Sequence, residues 1–322
     1  MRVNKKYSYD DLMLVPKRSD VESRSDVVLK TNITPNITVG SPLISAPMDS
    51  VTGPELAQSM YDNGGVGILH RYSSIEDRVE WVNEVDGVVG ASVGISPQDI
   101  ENASKLENAG ADFICVDVAH GHMERCLSFV EELNDIIDVD IMVGNVATSK
   151  GVKDLVKAGA DSVKIGVGPG SHCTTREQTG HGYPQASAID ECSRDTILGN
   201  HYNYTIIADG GIQKPGDAVK ALMLGADAVM MGGIFGRTYQ SPGDGKVWGC
   251  ASTNGEVDEY VEGVVTERKE RHSVDDVFNE FEDGIRSGLS YSGGHTIGAA
   301  RQNAEFVEIT PSTQKRNGGF EI

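Results

Sequence analysis

The stretch AGADFICVDVAH, Ala109–His120, joins the end of one helix to a short apolar strand. Its glycine suits a helix C-terminus, and the run that follows is rich in Val, Ile and other apolar residues. The same ending recurs as AGAD at Ala158–Asp161 and as GAD at Gly225–Asp227. A repeated order of helix and then strand predicts a parallel sheet whose strands are covered by helices.

Eight apolar runs of this kind follow one another along the chain, and helical spacing of apolar residues fills most of the intervals. The runs are apolar on both faces, which indicates strands buried beneath helices. Eight strand–helix units favour a closed (β/α)8 barrel, the TIM barrel, over an open doubly wound sheet. The predicted strands are Ser41–Met48, Gly65–His70, Val88–Ile95, Phe113–His120, Asp140–Ala147, Ser162–Gly168, Tyr204–Ile212 and Ala228–Phe235.

No proline-rich or serine-rich linker divides the chain, so residues 1–322 are predicted to form a single domain that ends with a helix near Val274–Ser287. The segment Gly236–His272 is long, charged and without a clear core-facing period. Loops of that length are usually functional or disordered. Because this one follows the eighth strand, we expect it to form a flap at the catalytic face of the barrel.

The composition excludes several classes of protein. Forty-eight acidic and 28 basic residues give a net charge of −20, which disfavours binding to nucleic acids or anionic membranes. No apolar run approaches the roughly 20 residues of a membrane span, and the N-terminus lacks a secretory signal, so a cytoplasmic protein is expected. The five cysteines are odd in number and free of CxxC pairs, which argues against a disulfide framework and a zinc site.

A glycine-rich loop gives the first indication of chemistry. The stretch KIGVGPGSHCTTREQTGHGYPQ, Lys164–Gln185, reads as a strand followed by a turn with exposed backbone groups. Ser171 offers a hydroxyl to an anion. Cys173 is predicted to lie on an exposed loop and to be functional, whereas Cys115 and Cys126 are expected to be small buried thiols.

Two glycine pairs follow the last two predicted strands: Asp209-Gly210-Gly211 and Gly232-Gly233. Barrel enzymes often bind phosphate through the loops after strands 7 and 8, so the two pairs predict a phosphate pocket. Read separately, either pair could simply be packing glycines. Asp209 would repel a phosphate, and we therefore expect its carboxylate to accept hydrogen bonds from sugar hydroxyls.

Seven motifs resemble those of the IMP dehydrogenase and GMP reductase family, in order and spacing, over nearly the whole chain. The cysteine loop is the most specific of them. The motifs are SAPMDSVT (Ser45–Thr52), DVAHGH (Asp117–His122), GNVAT (Gly144–Thr148), GPGSHCTTR (Gly168–Arg176), ADGGI (Ala208–Ile212), MMGGIFG (Met230–Gly236) and GIRSGLSYSGG (Gly284–Gly294).

The resemblance implies that Cys173 attacks the purine C2 of a nucleoside monophosphate to give a covalent thioimidate, with Thr175 and Glu262 moving a proton. It implies a set of substrate-binding residues, in which Asp209 holds the ribose. It also implies a nicotinamide cofactor, a monovalent cation, typically potassium, and a homotetramer. The substrate set is Ser171, Asp209, Gly210, Gly211, Gly232, Gly233, Gly249 and Gly263. The cofactor set is Ser23, Arg24, His70, Asp117, Val118, Ala119, Val167 and Gly168, and the cation would be held by the backbone carbonyls of Gly168, Gly170 and Cys173.

Three features favour the reductase, which releases ammonia and accepts hydride from NADPH, over the dehydrogenase, which reduces NAD and admits water. TGHGYPQ at Thr179–Gln185 resembles the reductase sequence. The short interval between His70 and Val89 leaves no room for the regulatory domain of most dehydrogenases. No arginine lies between Gly249 and Glu262, where dehydrogenases carry an Arg-Tyr pair that activates water.

Other positions depart from the reductase pattern and keep alternatives open. His70 stands where a reductase has lysine, Glu259 stands where it has arginine, and His120-Gly121-His122 is more similar to the dehydrogenase sequence. The alternatives are an IMP dehydrogenase without the regulatory domain, a reductase of a related purine (deoxy)nucleotide, and a nucleotide-binding regulatory protein. For NADPH, we expect Arg24 to bind the 2′-phosphate, with Arg71 as the second candidate.

Overall fold

Eight parallel strands close into a barrel, as the sequence predicts. The computed structural model describes residues 3–171, 173–197, 203–248, 265–267, 271–310 and 312–313. The barrel consists of β4 to β11. In chain order the strands are β1 (Leu12–Leu14), β2 (Thr31–Asn32), β3 (Thr38–Val39), β4 (Leu43–Ser45), β5 (Val66–Leu69), β6 (Val89–Val93), β7 (Phe113–Asp117), β8 (Asp140–Val146), β9 (Ser162–Ile165), β10 (Thr205–Asp209), β11 (Ala228–Met231), β12 (Lys246–Trp248), β13 (Val265–Glu267) and β14 (Phe306–Glu308).

Helices follow the barrel strands and pack around the outside of the barrel. The last barrel strand is followed by the predicted flap and then by α9, which covers the predicted final helix. None of the described helices is long and apolar enough to cross a membrane. The helices are α1 (Pro54–Asp62), α2 (Ile75–Glu84), α3 (Pro97–Asn108), α4 (Glu124–Asn134), α5 (Ser149–Ala158), α6 (Thr175–Thr179), α7 (Gln185–Ile197), α8 (Pro215–Met223), α9 (Val274–Tyr291) and α10 (Ile297–Asn303).

Burial along the barrel strands explains their continuous apolar sequences. Every residue of β4, β5, β6, β9 and β11 is buried. The partly exposed residues of β7, β8 and β10 are all polar and lie at or near the C-terminal ends: Asp117, Asn145 and Asp209. The barrel therefore exposes polar groups at one end only.

The observed strands end earlier than predicted. The predicted strand Ser162–Gly168, for example, ends at Ile165, because Gly166 and Gly168 adopt φ angles of +157° and +82° that turn the chain away from the sheet. The apolar residues beyond the strand ends belong instead to loops above the barrel.

The repeated AGAD endings perform the same structural task each time. The three glycines have left-handed φ angles of +108°, +113° and +121°, which ends the helix, as predicted. The aspartate that follows accepts a hydrogen bond from a backbone amide at the start of the neighbouring strand. These bonds join Asp112 to Val89 (2.8 Å), Asp161 to Ile141 (2.8 Å) and Asp227 to Ile206 (2.9 Å).

A hairpin of β2 and β3, which the sequence pattern did not predict, covers the N-terminal end of the barrel. The Thr205 hydroxyl, at the start of β10, donates to the Ile33 carbonyl at 2.7 Å. The Asn36 amide donates to the Asp140 carboxylate, also at 2.7 Å. The hairpin covers the N-terminal end of the barrel, so ligands have access from the C-terminal end.

The predicted flap, Gly236–His272, contains more regular structure than an irregular loop. Its described parts include an antiparallel ladder between β12 and β13. Val247 is 2% exposed, and the Ser50 hydroxyl contacts the backbone of Trp248 at 3.2 Å. The base of the flap is therefore fixed to the loop that follows β4.

The aspartate bonds of the AGAD repeats generate a stability prediction. We expect Asp161→Ala to lower the free energy of unfolding by about 1–3 kcal/mol, because the Ile141 amide loses its acceptor in a partly buried position. Thermal and urea unfolding would measure the change, with Asp86→Ala on the exposed surface as the control. Equal stability of both variants would show that the bond is unimportant.

Candidate active site

A cavity of about 820 Å³ opens at the C-terminal ends of the barrel strands, where the sequence predicts the catalytic face. Its volume lies within the range of small-molecule and cofactor sites, roughly 300–1,000 Å³. Seven of the eight barrel strands or their following loops contribute to the lining, as does β13. Representative residues are Met48, Arg71, Asp117, Asn145, Cys173, Gly211, Gly233 and Thr266.

Most of the predicted site residues line this one cavity. The structure brings together residues from four separate motifs that are distant in the sequence. They are Cys173, Thr175, Ser171, Asp209, Gly210, Gly211, Gly232 and Gly233 from the catalytic and substrate sets, with Asp117, Val118, Ala119, Val167, Gly168 and Gly170 from the cofactor and cation sets.

Cys173 lies on the turn that connects β9 to α6. The turn is closed by a hydrogen bond from the Cys173 amide to the Gly170 carbonyl at 3.2 Å. The Cys173 thiol donates to the Thr175 hydroxyl at 3.1 Å. Cys173 is partly exposed, whereas Cys115 and Cys126 are fully buried, as predicted. A thiol in an open cavity can act as a nucleophile, and the adjacent hydroxyl can relay its proton to a base.

The cysteine turn requires glycine at two positions because a side chain crosses it. A Cβ atom at Gly168 or at Gly182 would lie 2.6 Å from Cγ of Arg176. The stem of Arg176 therefore fits between two glycines that lie on either side of the cysteine. This packing restricts the conformation of the loop that carries the thiol.

Three side chains hold Asp209 at the opening of the barrel. Its carboxylate accepts a hydrogen bond from the Asn145 amide at 2.9 Å and lies 3.3 Å from the ammonium of Lys164. Lys164 also forms an ion pair with Asp117. The Gln185 amide donates to the Asp209 backbone carbonyl at 3.1 Å. Asp209 is thus fixed in position while its carboxylate still lines the cavity.

The protonation state of Lys164 follows from this arrangement. Burial alone would lower the pKa of a lysine, but the adjacent Asp117 carboxylate, together with Asp209, reverses the effect. The net result is a pKa well above the ordinary lysine value. Lys164 therefore remains a cation at physiological pH.

The two glycine pairs lie side by side in the cavity. Gly210 and Gly211 adopt φ angles of +93° and +80°, a conformation that L side chains rarely adopt. Tyr9 packs beneath Gly211, where an added Cβ would lie 3.4 Å from the tyrosine ring. A Cβ at Gly232 would lie 2.7 Å from the Met48 sulfur. Bare backbone at these positions is suited to the close approach of an oxyanion.

His70 does not line the cavity. It is 6% exposed and packs edge-on against Trp81, with ring centroids 5.0 Å apart. Burial lowers the pKa of His70 to about 4, and Arg78 acts in the same direction against the opposing effect of Asp49. His70 is therefore neutral at physiological pH. The neighbouring Arg71 lines the cavity instead.

Ser23 and Arg24 lie far from the cavity within one chain. The residues that follow them contact the turn before β11, where the Thr31 hydroxyl donates to the Asp227 carbonyl at 2.8 Å. They also contact the C-terminal part of α9, where Arg286 donates to the Val27 carbonyl. Both contacts are at the N-terminal end of the barrel. Neither Ser23 nor Arg24 lines the cavity of its own chain.

Sequence reasoning did not identify several residues of the cavity. The sequence marks Lys164 only as part of a strand and Asn145 only as part of the GNVAT motif. A single lysine within an apolar strand is nevertheless a usable signal of a buried ion pair. Arg237 and Thr266 come from the flap region and have no sequence pattern that separates them from surface residues.

Other predicted residues lie outside the described part of the chain. They are the catalytic Glu262 and the substrate-binding Gly249 and Gly263, together with Glu259 and Cys250. Their roles stay predictions.

The lining residues fit a nicotinamide dinucleotide on the side of the cavity formed by β7 and the start of the cysteine loop. Asp117 presents a partly exposed carboxylate there, which can accept hydrogen bonds from ribose hydroxyls. Val118, Ala119 and Val167 form an apolar wall beside it. The cation site predicted at the carbonyls of Gly168, Gly170 and Cys173 stays a prediction.

A TIM barrel with a loop cysteine and adjacent glycine pairs at its open end has the layout of a barrel enzyme that binds an anionic ligand. A family model described as "IMP dehydrogenase / GMP reductase domain" matches residues 6–319. The chain therefore belongs to the IMP dehydrogenase and GMP reductase family, whose members are oxidoreductases that use a nicotinamide cofactor.

Relatives of both names are similar to the chain. An inosine-5'-monophosphate dehydrogenase from Cryptosporidium parvum is 32% identical, with 96% of this chain and 94% of the relative covered. A GMP reductase from Onchocerca volvulus is 33% identical, with 98% and 94% covered. The crystal structure of a GMP reductase variant from Trypanosoma brucei with guanosine 5'-monophosphate has a TM-score of 0.93 at 24% identity, covering 99% and 98% of the two chains, which confirms the fold.

The burial of the cysteines generates a reactivity prediction. Burial raises the pKa of Cys115 and Cys192 to about 12 and that of Cys126 to about 11. At pH 8 these thiols should react with iodoacetamide on the order of 100-fold more slowly than the partly exposed Cys173, because the thiolate is the reactive form. Peptide mapping by mass spectrometry would measure each rate. Similar rates at Cys115 and Cys173 would contradict the assigned positions.

Proposed function

We propose that the protein is a GMP reductase, which converts GMP to IMP and ammonia with NADPH as the hydride donor. The observation that carries the proposal is the position of Cys173. Its sulfur lies 3.1 Å from the Thr175 hydroxyl and lines the same cavity as Asp209 and both glycine pairs. This arrangement suits covalent chemistry on the base of a nucleotide held by its ribose and phosphate.

The substrate would be held by groups at fixed positions. The Asp209 carboxylate would accept hydrogen bonds from the ribose hydroxyls, since Lys164 and Asn145 already orient it. The glycine pairs and Ser171 would bind the phosphate through amides and a hydroxyl. Arg237, which lines the cavity next to the second pair, adds a positive charge on the phosphate side.

The reaction would begin with attack of the Cys173 sulfur on the purine C2, while the thiol proton passes through the Thr175 hydroxyl to the Glu262 carboxylate. A carbon–sulfur bond forms, and the C2 amine leaves as ammonia once it has been protonated. Thr175, together with Glu262, would supply that proton. NADPH, when bound, would supply the hydride that reduces C2. Cleavage of the carbon–sulfur bond would then release IMP and the Cys173 thiolate, and a proton from solvent would restore the thiol.

The sequence features, rather than overall similarity, favour the reductase. Dehydrogenases and reductases among the relatives are similar to this chain to nearly the same degree. The reductase-like TGHGYPQ contains Tyr183, whose hydroxyl donates to Glu191 at 2.6 Å, and Lys6 also bonds to Glu191. Tyr183 thus anchors the end of the cysteine loop to α7. The interval between Gly249 and Glu262 contains no arginine to activate water for hydrolysis of the thioimidate.

An IMP dehydrogenase without a regulatory domain is the second candidate. It is favoured by His120-Gly121-His122, which is more similar to the dehydrogenase sequence, and in which His122 contacts Asp154 of α5 at 2.9 Å. The same cavity would also accept a related purine (deoxy)nucleotide, since the cysteine chemistry does not depend on the ribose 2′-hydroxyl.

The preference for NADPH requires a cation near the cofactor 2′-phosphate. Arg71 lines the cavity of its own chain, whereas Arg24 would act in the cavity of a neighbouring copy. A tetramer, proposed from the family resemblance, would supply such a neighbour. A potassium ion at the carbonyls of Gly168, Gly170 and Cys173 would further order the cysteine turn.

Steady-state assays distinguish the candidates directly. We expect oxidation of NADPH with GMP, followed by absorbance, with stoichiometric release of ammonia. Reduction of NAD with IMP, with no reaction of GMP, would establish the dehydrogenase instead. Binding of nucleotide without turnover in either direction would indicate a regulatory protein.

Replacement of the nucleophile separates chemistry from binding. We expect Cys173→Ala to lower kcat by at least about 10³-fold, because no covalent intermediate can form. The dissociation constant for GMP, measured by calorimetry, should change less than about threefold, since the glycine pairs and Asp209 are intact. The matched control is Cys126→Ala, a buried thiol outside the cavity, which should retain turnover. Substantial activity of Cys173→Ala would refute the assigned role.

A further inference from the structure

Lys164 is a charged residue within a fully buried barrel strand. All four residues of β9 are buried, and Lys164 itself is 1% exposed. Charged side chains are almost never fully buried unless they are paired. Its position needs an explanation beyond packing, since an aliphatic residue would fill the same space in the strand without desolvating a charge.

The ammonium of Lys164 connects two carboxylates that the barrel wall holds apart. Asp117 is on β7 and Asp209 is on β10, and these strands are separated by β8 and β9. From β9, Lys164 forms an ion pair with Asp117 and approaches the Asp209 carboxylate to 3.3 Å. Asn145 of β8 donates to the same Asp209 carboxylate. One cation therefore contacts two carboxylates from strands that are not adjacent in the barrel.

The two carboxylates face different ligands if the proposed function is correct. Asp209 follows the strand that leads into the first glycine pair and would hold the nucleotide ribose. Asp117 lies beside the apolar wall of Val118 and Ala119 and would hold the cofactor. Movement of the shared ammonium towards one carboxylate changes how firmly the other is held.

We propose that Lys164 is a positioning residue that makes the binding of nucleotide and of cofactor interdependent. Either ligand, by donating hydrogen bonds to its own aspartate, restricts the shared ion pair. The second ligand then meets a carboxylate that is already ordered, so it binds more tightly than it would alone. The inference rests on the proposed function, because it needs both ligands to occupy the cavity.

All proteins in this test carry Cys173→Ala, so that GMP and NADP⁺ bind without forming the covalent intermediate, and the wild type of this comparison is the Cys173→Ala protein with Lys164 intact. Isothermal titration calorimetry would give the dissociation constant of NADP⁺ with and without saturating GMP, and the ratio of the two is the coupling. We expect a coupling of about fivefold or more in the wild type. In Lys164→Met we expect weaker binding of both ligands and a coupling within about twofold of unity.

Additional variants separate positioning from loss of structure. Lys164→Arg retains the cation and should restore most of the coupling. The double variant Lys164→Met/Asp117→Asn removes the unpaired carboxylate together with the cation; it should fold and still lack the coupling. Lys105→Met, at an exposed ion pair with Glu101 on α3, is the control for the loss of one positive charge. It should behave as the wild type.

The outcomes distinguish failure of the role of Lys164 from failure of the proposed function. Three outcomes would overturn the role of Lys164. The first is wild-type coupling in Lys164→Met or in the double variant, and the second is weaker binding of only one ligand in Lys164→Met. The third is a wild type that binds both ligands independently. A wild type that binds neither GMP nor NADP⁺ would overturn the proposed function itself, and the role of Lys164 with it.

Discussion

The ion pair between the buried ammonium of Lys164 and two carboxylates allows both carboxylates to lie at the same end of the barrel and line one cavity. Asp117 and Asp209 face the same cavity, and without a cation between them their charges would repel each other in a poorly solvated place. Removing one partner of a buried pair typically costs about 3–5 kcal/mol. The polar end of the barrel is thus compatible with folding because β9 provides the compensating charge.

Closure of the sheet is the condition for that pairing. Only a closed barrel brings β7, β8, β9 and β10 into the curved arrangement in which one lysine reaches both aspartates. The two ends of the barrel then have different tasks. The AGAD aspartates and the β2–β3 hairpin stabilise the N-terminal end, whereas glycine-rich loops at the C-terminal end leave backbone groups accessible. Stability and ligand binding are therefore assigned to separate residues, as is usual in barrel enzymes.

Much of this organisation could be predicted from the sequence, because local signals and global fold agree. The AGAD repeats mark helix ends, and the apolar runs mark strands, so the barrel follows from their order. Cys173 and the glycine pairs were identifiable since each lies directly after a strand, where a parallel barrel places its site. The strand ends were predicted too long because the apolar character continues into the loops above the barrel; after β9 and β10, glycine φ angles turn the chain away from the sheet.

The other features of the site depend on the directions of side chains and the distances between them, which local sequence patterns do not show. Nothing in the sequence shows that Lys164 reaches across two strands, or that His70 turns into the core while Arg71 faces the cavity. Ser23 and Arg24, matched by resemblance, lie at the opposite end of their own barrel. The resemblance therefore does not by itself show which of the matched residues line the cavity, and the fold is needed to separate them.

The central claim is that Cys173 forms a covalent bond to the purine base. Intact-protein mass spectrometry after incubation with GMP and rapid acid quenching tests it most directly, with peptide mapping to locate the adduct. The account predicts a mass increase equal to GMP minus ammonia, located on Cys173 and absent in Cys173→Ala. An unmodified wild type after the same incubation and quench, or an adduct on a different residue, would contradict the account.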